Sequence, residues 1–273
     1  MDANIKKQIL ELYNSGLSTV KIANVFDCTP GSVYSVLKSM GCKLRSNKIN
    51  SRKYTLNESY FSKIDTSEKA YWLGFIAADG YISNTNRYGT KYVGITLNAK
   101  DAEHLYKFKN AINYTGDIRI YKYSGYTEVA GARVLFTSDI MFDDLIKNNV
   151  VEHKSNIIKP PDIPHEFVGA YILGYFDGDG SISITEKYQG IKFLGTDLIL
   201  DYILNYLTDN GIECLGKAKC VRHQENSVKY VSFGGANIVI KIMDLLYSNV
   251  DVNIPLKRKY EKYLNFKNSR LSK

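Results

Sequence analysis

Tyr71-Trp72-Leu73-Gly74-Phe75-Ile76-Ala77-Ala78-Asp79-Gly80 and Tyr171-Ile172-Leu173-Gly174-Tyr175-Phe176-Asp177-Gly178-Asp179-Gly180 are two copies of one pattern, 100 residues apart. In each copy small residues fall four apart, Gly74 with Ala78 and Gly174 with Gly178. On a helix that spacing makes one bare stripe, where a second backbone can approach closely. An acid follows each stripe at once, Asp79 or Asp179. If the stripes pack on each other, both carboxylates emerge together at the end of a helix pair.

Working outward, each copy heads a similar series of elements. Asp65 and Glu68, three apart before the first copy, read as a capping box. The patterns then predict strands at 81–84 and 91–97 around a polar turn from Asn84 to Gly89. A helix opened by Asp101 follows, bearing Leu105, Phe108 and Ile112, then strands at 117–123 and 127–137 and a helix over 138–148. Pro160, Pro161 and Pro164 mark the junction with the second half, and Pro164-His165-Glu166 starts the second repeat helix. Strands at 181–186 and 190–194, a helix over 197–209, strands near 213–222 and 228–233, a helix over 236–247 and a basic closing helix from Pro255 complete the series. The expected fold class is α+β: two pseudo-symmetric αββαββα halves, at 63–160 and 161–273, with the repeat helices packed at their interface. Such a chain is a monomer with internal pseudo-twofold symmetry.

Residues 1–46 read as a separate all-α unit, joined by a polar, aperiodic linker over 47–62. Ile5, Ile9, Leu12 and Tyr13 keep helical spacing up to Gly16; Ser18 caps a short helix burying Val20, Ile22, Ala23 and Phe26. After a turn at Asp27-Cys28-Thr29, Thr29 and Pro30 start a third helix that buries Val33, Val36 and Leu37 and stops at Gly41. Three short helices with a tight turn before the last make a helix-turn-helix, whose final helix enters the major groove of DNA. Ser32, Tyr34, Ser35 and Lys38 face away from the apolar stripe, and Lys43, Arg45, Lys48, Arg52 and Lys53 follow as a phosphate-contacting tail would. Three-helix units of this size also serve as protein-docking modules.

Composition agrees with a polyanion partner without demanding one. The net charge is +8, with 22 Tyr and 11 Phe among 273 residues, and cations interleaved with flat rings suit a polymer of phosphates and stackable bases. An ordinary basic protein would show the same balance. Residues 1–60 hold nine Lys and Arg against four Asp and Glu, so the amino-terminal part is the more basic. No run of 18 apolar residues and no signal-peptide block is present, so a soluble, intracellular protein with no membrane partner is expected. Cys28, Cys42, Cys214 and Cys220 lack zinc-knuckle spacing, and neither a disulfide nor a zinc site is expected, although Cys214, Cys220 and His223 are potential ligands.

Strand alternation suggests which sheet face meets the partner. In 117–123, Ile118 and Ile120 point inward and Arg119, Tyr121 and Tyr123 outward; Arg133 lies on the neighbouring strand, and Lys217 and Lys219 share one face in the second half. Such a surface suits a β-sheet reader of double-stranded DNA, though solvated lysines on any sheet look alike.

The doubled stretch, Trp72 to Gly80 and Ile172 to Gly180, resembles the two signature helices of single-chain LAGLIDADG homing endonucleases. The resemblance covers about residues 65–270, and a doubled motif at this spacing is specific. It implies an αββαββα unit per half, saddle-shaped sheets along the DNA, and site-specific double-strand cleavage leaving short 3′ overhangs. The family's acid at the eighth motif position falls on Asp79 and Asp179. Phosphodiester hydrolysis builds charge on phosphate oxygens, which Mg²⁺ or another divalent cation offsets while activating a water. The implied metal set is Asp79 and Asp179 with Gly80 and Gly180. The resemblance adds one basic residue per centre, Lys154 and Lys259, with Lys257 an alternative to the latter. Ala77 stands where the second copy has Asp177, so the sixth-position acid is unshared and Asp177 reads as structural. A non-cleaving DNA-binding regulator, or an RNA maturase, would use the same scaffold.

Overall fold

The computed structural model describes residues 2–15, 17–42, 44, 53–84, 89–122, 130–213, 219–220 and 229–271. These fall into two compact units, residues 1–55 and 56–273.

The first unit has three helices: α1 (Ala3–Asn14), α2 (Thr19–Val25) and α3 (Pro30–Ser39). Ser18 Oγ accepts from Lys21 N–H at 3.3 Å, and Thr29 Oγ1 accepts from Ser32 N–H at 3.2 Å, so both inner helices start on the caps their sequences offer. Between them Asp27 takes a left-handed conformation, φ 46°, which its short polar side chain tolerates. Gly41, φ 71°, ends α3, with Cys42 N–H returned to Leu37 O. Ile9, Tyr13, Ile22, Ala23, Val33, Val36 and Leu37 form the core. Val20 differs from expectation and is 55% exposed: two residues from Ile22, it lies on the far side of α2. Cys28 and Cys42 are half-buried, and the two are not joined in a disulfide.

The second unit repeats one order of elements. Its first half runs α4 (Ser67–Asp79), β1 (Gly80–Ser83), β2 (Tyr92–Asn98), α5 (Ala102–Ala111), β3 (Arg119–Lys122), β4 (Ala130–Thr137) and α6 (Asp139–Lys147). Its second runs α7 (Val168–Asp179), β5 (Ser181–Ile184), β6 (Gln189–Gly195), α8 (Asp197–Asp209), β7 (Lys219–Cys220), β8 (Lys229–Gly234) and α9 (Ala236–Tyr247), then a closing helix α10 (Lys257–Leu271). Each half thus has the αββαββα order. The antiparallel sheets are ordered β1-β2-β4-β3 and β5-β6-β8-β7, the same path through both. Period-two alternation puts Val93, Ile95 and Leu97 on the core face beside Phe136, Val134 and Ala132; Ile191 and Phe193 lie likewise beside Phe233 and Val231. Among the described residues no helix is long and apolar enough to cross a membrane.

Some local expectations are corrected. Thr66, not Asp65, caps α4: its hydroxyl accepts from Lys69 N–H at 3.2 Å, while Asp65 pairs with the Lys69 ammonium at 2.7 Å. Asp101 does open α5, as its N-cap, but closes a 3₁₀ turn, Ala99–Asp101, and makes no side-chain capping bond; Pro164 caps a 3₁₀ turn, His165–Phe167, that runs into α7 at Val168. The carboxy-terminal end of the 47–62 linker is packed structure, because Tyr60 and Phe61 are buried and Glu58 accepts from Ser138 Oγ at 2.6 Å. Ile120 is 55% exposed although its register partner Ala132 is buried; β3 is the edge strand, with a neighbour on one side only.

Candidate active site

The glycines of α4 and α7 explain how closely the helices approach. A β-carbon on Gly74 would overlap the carbonyl oxygen of Tyr171, and one on Gly174 that of Tyr71, so the contact is reciprocal. Further along, a β-carbon on Gly178 would overlap Ala78 Cβ and lie 3.2 Å from Asp79 N. The helices therefore run in the same direction, and their carboxy-terminal ends lie together. Gly80 and Gly180 then turn the chain into β1 and β5 in extended conformation, their N–H groups returned to Ile76 O and Phe176 O. Each acid stands at a helix-to-strand junction.

Charge at this junction is balanced unfavourably for the acids alone. Both side chains reach solvent. Burial of its surroundings, with the charge of Asp179 behind it, pushes Asp79 up to about 6, against the pull of Lys259 and Lys154. Burial likewise raises Asp179, which the same two lysines oppose. Two hard carboxylate donors, both raised by burial and one of them also by the charge of the other, fit a divalent cation, which favours the ionised form of each. Among the described residues there is no group of three or more His, Cys, Asp or Glu that could hold a metal ion.

A lysine stands beside each acid. Lys154 Nζ donates to Gly80 O, and Lys259 Nζ to Gly180 O at 2.6 Å. Lys259 also donates to Phe176 O at 2.6 Å and Asp177 O at 2.9 Å. Burial lowers both ammonium groups, Lys259 to about 8, while the nearby aspartates oppose the shift. Lys257 turns outward, 60% exposed and 3.8 Å from Glu103. The carbonyl oxygens of Gly80 and Gly180, read as metal donors, are thus engaged by ammonium groups, each keeping a second lone pair.

Solved structures similar to this chain are LAGLIDADG homing endonucleases. I-LtrWI bound to its target DNA aligns over 79% of this chain and 92% of its own, at 12% identity and a TM-score of 0.45. I-GzeII in complex with a DNA target covers 73% and 88%, at 13% identity and a TM-score of 0.48. Mesophilic variants of I-DmoI cover 70% and 97%, at 17% identity and a TM-score of 0.45. No family model matches the chain, and no curated protein does.

Among the described residues, the expected DNA-facing ones fall in both units, on α3 of the first and on the sheets of the second. On α3, Tyr34, Ser35 and Lys38 are exposed, whereas Ser32 is half-buried and shares a 2.9 Å bond with Thr29 Oγ1. Arg119 is exposed on β3. Tyr121 lies over Gly131, where a β-carbon would overlap its ring at 2.7 Å, and the half-buried Arg133 guanidinium is 5.9 Å from that ring's centre. Lys43, Arg45, Lys48, Arg52, Tyr123, Cys214, Lys217 and His223 lie outside the described residues, as do the side chains of Lys219 and Cys220. Lys219 occupies β7, in register with Tyr230. The second sheet adds an unanticipated pair, Lys192 Nζ 4.4 Å from the centre of the Tyr230 ring.

A buried polar network also escaped the sequence. Asp177 is fully buried, and its Oδ2 accepts from Tyr71 O–H at 2.7 Å and Leu256 N–H at 2.8 Å. Because Tyr71 gives its proton to Asp177, it accepts from His104 Nε2 at 3.1 Å, which assigns the His104 proton to Nε2. Burial holds His104 neutral, down to about 3, and Asp177 up at about 6. In sequence His104 is one polar letter beside Leu105 on a helix, with nothing to mark its burial.

Proposed function

We propose that this protein is a site-specific DNA endonuclease, dependent on Mg²⁺ or a similar divalent cation, that cuts both strands of a long asymmetric target. What supports this reading is the reciprocal glycine contact, which brings Asp79 and Asp179 to adjacent helix ends, each with a lysine on the following glycine carbonyl. Two strands need two centres, and the doubled arrangement supplies two sets of the same groups.

Asp79 and Asp179 hold the cation, which when bound offsets charge on the phosphate oxygens and makes a water more acidic. Lys154 and Lys259 add positive charge where negative charge develops. Lysines lowered by burial also exchange protons nearer neutral pH than exposed ones. The glycines let each acid stand at the surface, where a phosphate has access, while the helix backbone behind it stays packed.

Incubation of plasmid and genomic DNA with the protein, in Mg²⁺ and in EDTA, tests the reading. Linear product in Mg²⁺ alone is expected, and Asp79→Asn or Asp179→Asn should each reduce double-strand cleavage by about 1,000-fold while leaving DNA binding nearly unchanged. Full cutting by both variants overturns it; binding with no cutting by the native chain favours a regulator or maturase on this scaffold. For residues 1–46 we propose DNA anchoring: their deletion should weaken affinity about tenfold and flatten its salt dependence, read by fluorescence anisotropy across a salt series.

A further inference from the structure

We infer that Asp177 is a positioning residue, stapling the start of α10 to α7 so that Lys259 reaches the second centre. Asp177 is engaged at both ends. Its carboxylate oxygen takes Leu256 N–H at 2.8 Å, and its backbone carbonyl takes Lys259 Nζ at 2.9 Å. Leu256 O in turn accepts from Lys259 N–H and Tyr260 N–H, at 3.0 and 3.1 Å, so the residue held by Asp177 is the one on which α10 begins. Lys259 is three positions on from that anchor, less than one helical turn, and an error at the anchor passes directly to the ammonium group.

Tyr71 makes the staple an inter-half device. It lies on α4 of the first half, and its hydroxyl holds the same carboxylate oxygen at 2.7 Å. His104, also of the first half, fixes the hydroxyl from the other side at 3.1 Å. A carboxylate that is fully buried is costly to place unless its bonds are made, and here both donors fall on one oxygen. Among the described residues its other oxygen has no partner. Removing the carboxylate would leave the Tyr71 O–H and the Leu256 N–H without this acceptor. The first centre offers the contrast: Ala77 occupies the matching position and its methyl group cannot accept a hydrogen bond, and among the described residues Lys154 Nζ donates to one carbonyl, Gly80 O.

The placement of Lys259 is independent of the nuclease reading; the consequence for strand cleavage rests on it. Two measurements keep them apart. The first is lysine labelling of the intact protein by reductive methylation, read by mass spectrometry without DNA. Lys259 is 3% exposed and should be protected in the native chain. Asp177→Ala should speed its labelling about tenfold relative to Lys154, as expected for local opening of one helix end. Asp177→Asn keeps an acceptor oxygen and should change it less than about threefold. Equal acceleration at both lysines, or continued protection of Lys259 in Asp177→Ala, overturns the proposal. If the alanine variant does not fold, the asparagine variant decides: full exposure of Lys259 would show that charge, not the hydrogen bond, holds the helix.

The second measurement is strand-resolved nicking. Lys259→Met identifies the strand cut at the second centre. Asp177→Ala should slow that strand by about 10- to 100-fold and the other by less than about threefold, because misplacement of a catalytic group by an ångström is enough. Equal slowing of both strands rejects a positioning role. No nicking by the native protein rejects the nuclease reading and leaves the labelling result standing.

Discussion

The two centres share their acids' setting and differ in how each lysine is delivered. Asp79 and Asp179 end helices of matching sequence, and their positions depend on the helix pair itself, so duplication reproduces them. Lys154 comes from a 3₁₀ turn, Lys154–Asn156, just after His153, which is held in a left-handed conformation at φ 54°. Lys259 comes from a 15-residue helix and rests on three carbonyl oxygens. That helix is also tied to the first half: Arg258 Nε donates to Asp101 at 2.9 Å, and Lys107 Nζ to Pro255 O at 3.0 Å. Groups set by the repeated interface come out alike, whereas groups supplied where each half ends are free to diverge.

The largest expected difference between the centres lies in these lysines. Lys259→Met should slow its strand by about 100-fold and Lys154→Met its own by about tenfold, measured as separate nicking rates on end-labelled DNA. Equal losses would erase the distinction. The glycines should show the opposite, a matched pair. Gly74→Ala and Gly174→Ala each force a methyl into a carbonyl oxygen of the facing helix, and each should destabilise the fold by about 1–3 kcal/mol in urea denaturation. A clear inequality would mean the halves do not share the interface evenly.

A smaller effect separates the acids by pH. Asp79 is raised from 3.8 to about 6 in the folded chain, so the stability linked to it is present below about 4 and lost as pH rises through 6. In EDTA, the melting temperature should fall across that window, and Asp79→Asn should flatten part of the fall. Divalent-ion affinity should run the other way, weakening by up to about tenfold per pH unit below 6 as a donor carboxylate takes up its proton, measured by calorimetry. A pH-independent affinity would remove Asp79 from the ion's donors.

Much of this was legible because it depends on short-range pattern. Small residues four apart, each set followed by an acid, state a close helix contact and its charged end, and alternating strands of matching order state two similar halves. The misreadings arose where local letters admit several partners. Thr66 and Asp65 both offer an oxygen to the start of α4, and only the ammonium of Lys69 decides which one caps. Ile120 has the alternation of a core residue but sits on an edge strand. Lys257 and Lys259 are both basic residues at one helix start, and helical rotation turns one to solvent and the other onto Gly180 O.

By itself the sequence determined the repeat, the order of elements and the pair of acids, since these follow from periodicity and from glycine's lack of a side chain. Only the tertiary structure decided that Asp177, Tyr71 and His104 form one buried network across the halves. Their bonds join residues 33, 79 and 106 apart in the chain, and no local pattern encodes a hydrogen bond whose partners meet only when the core closes.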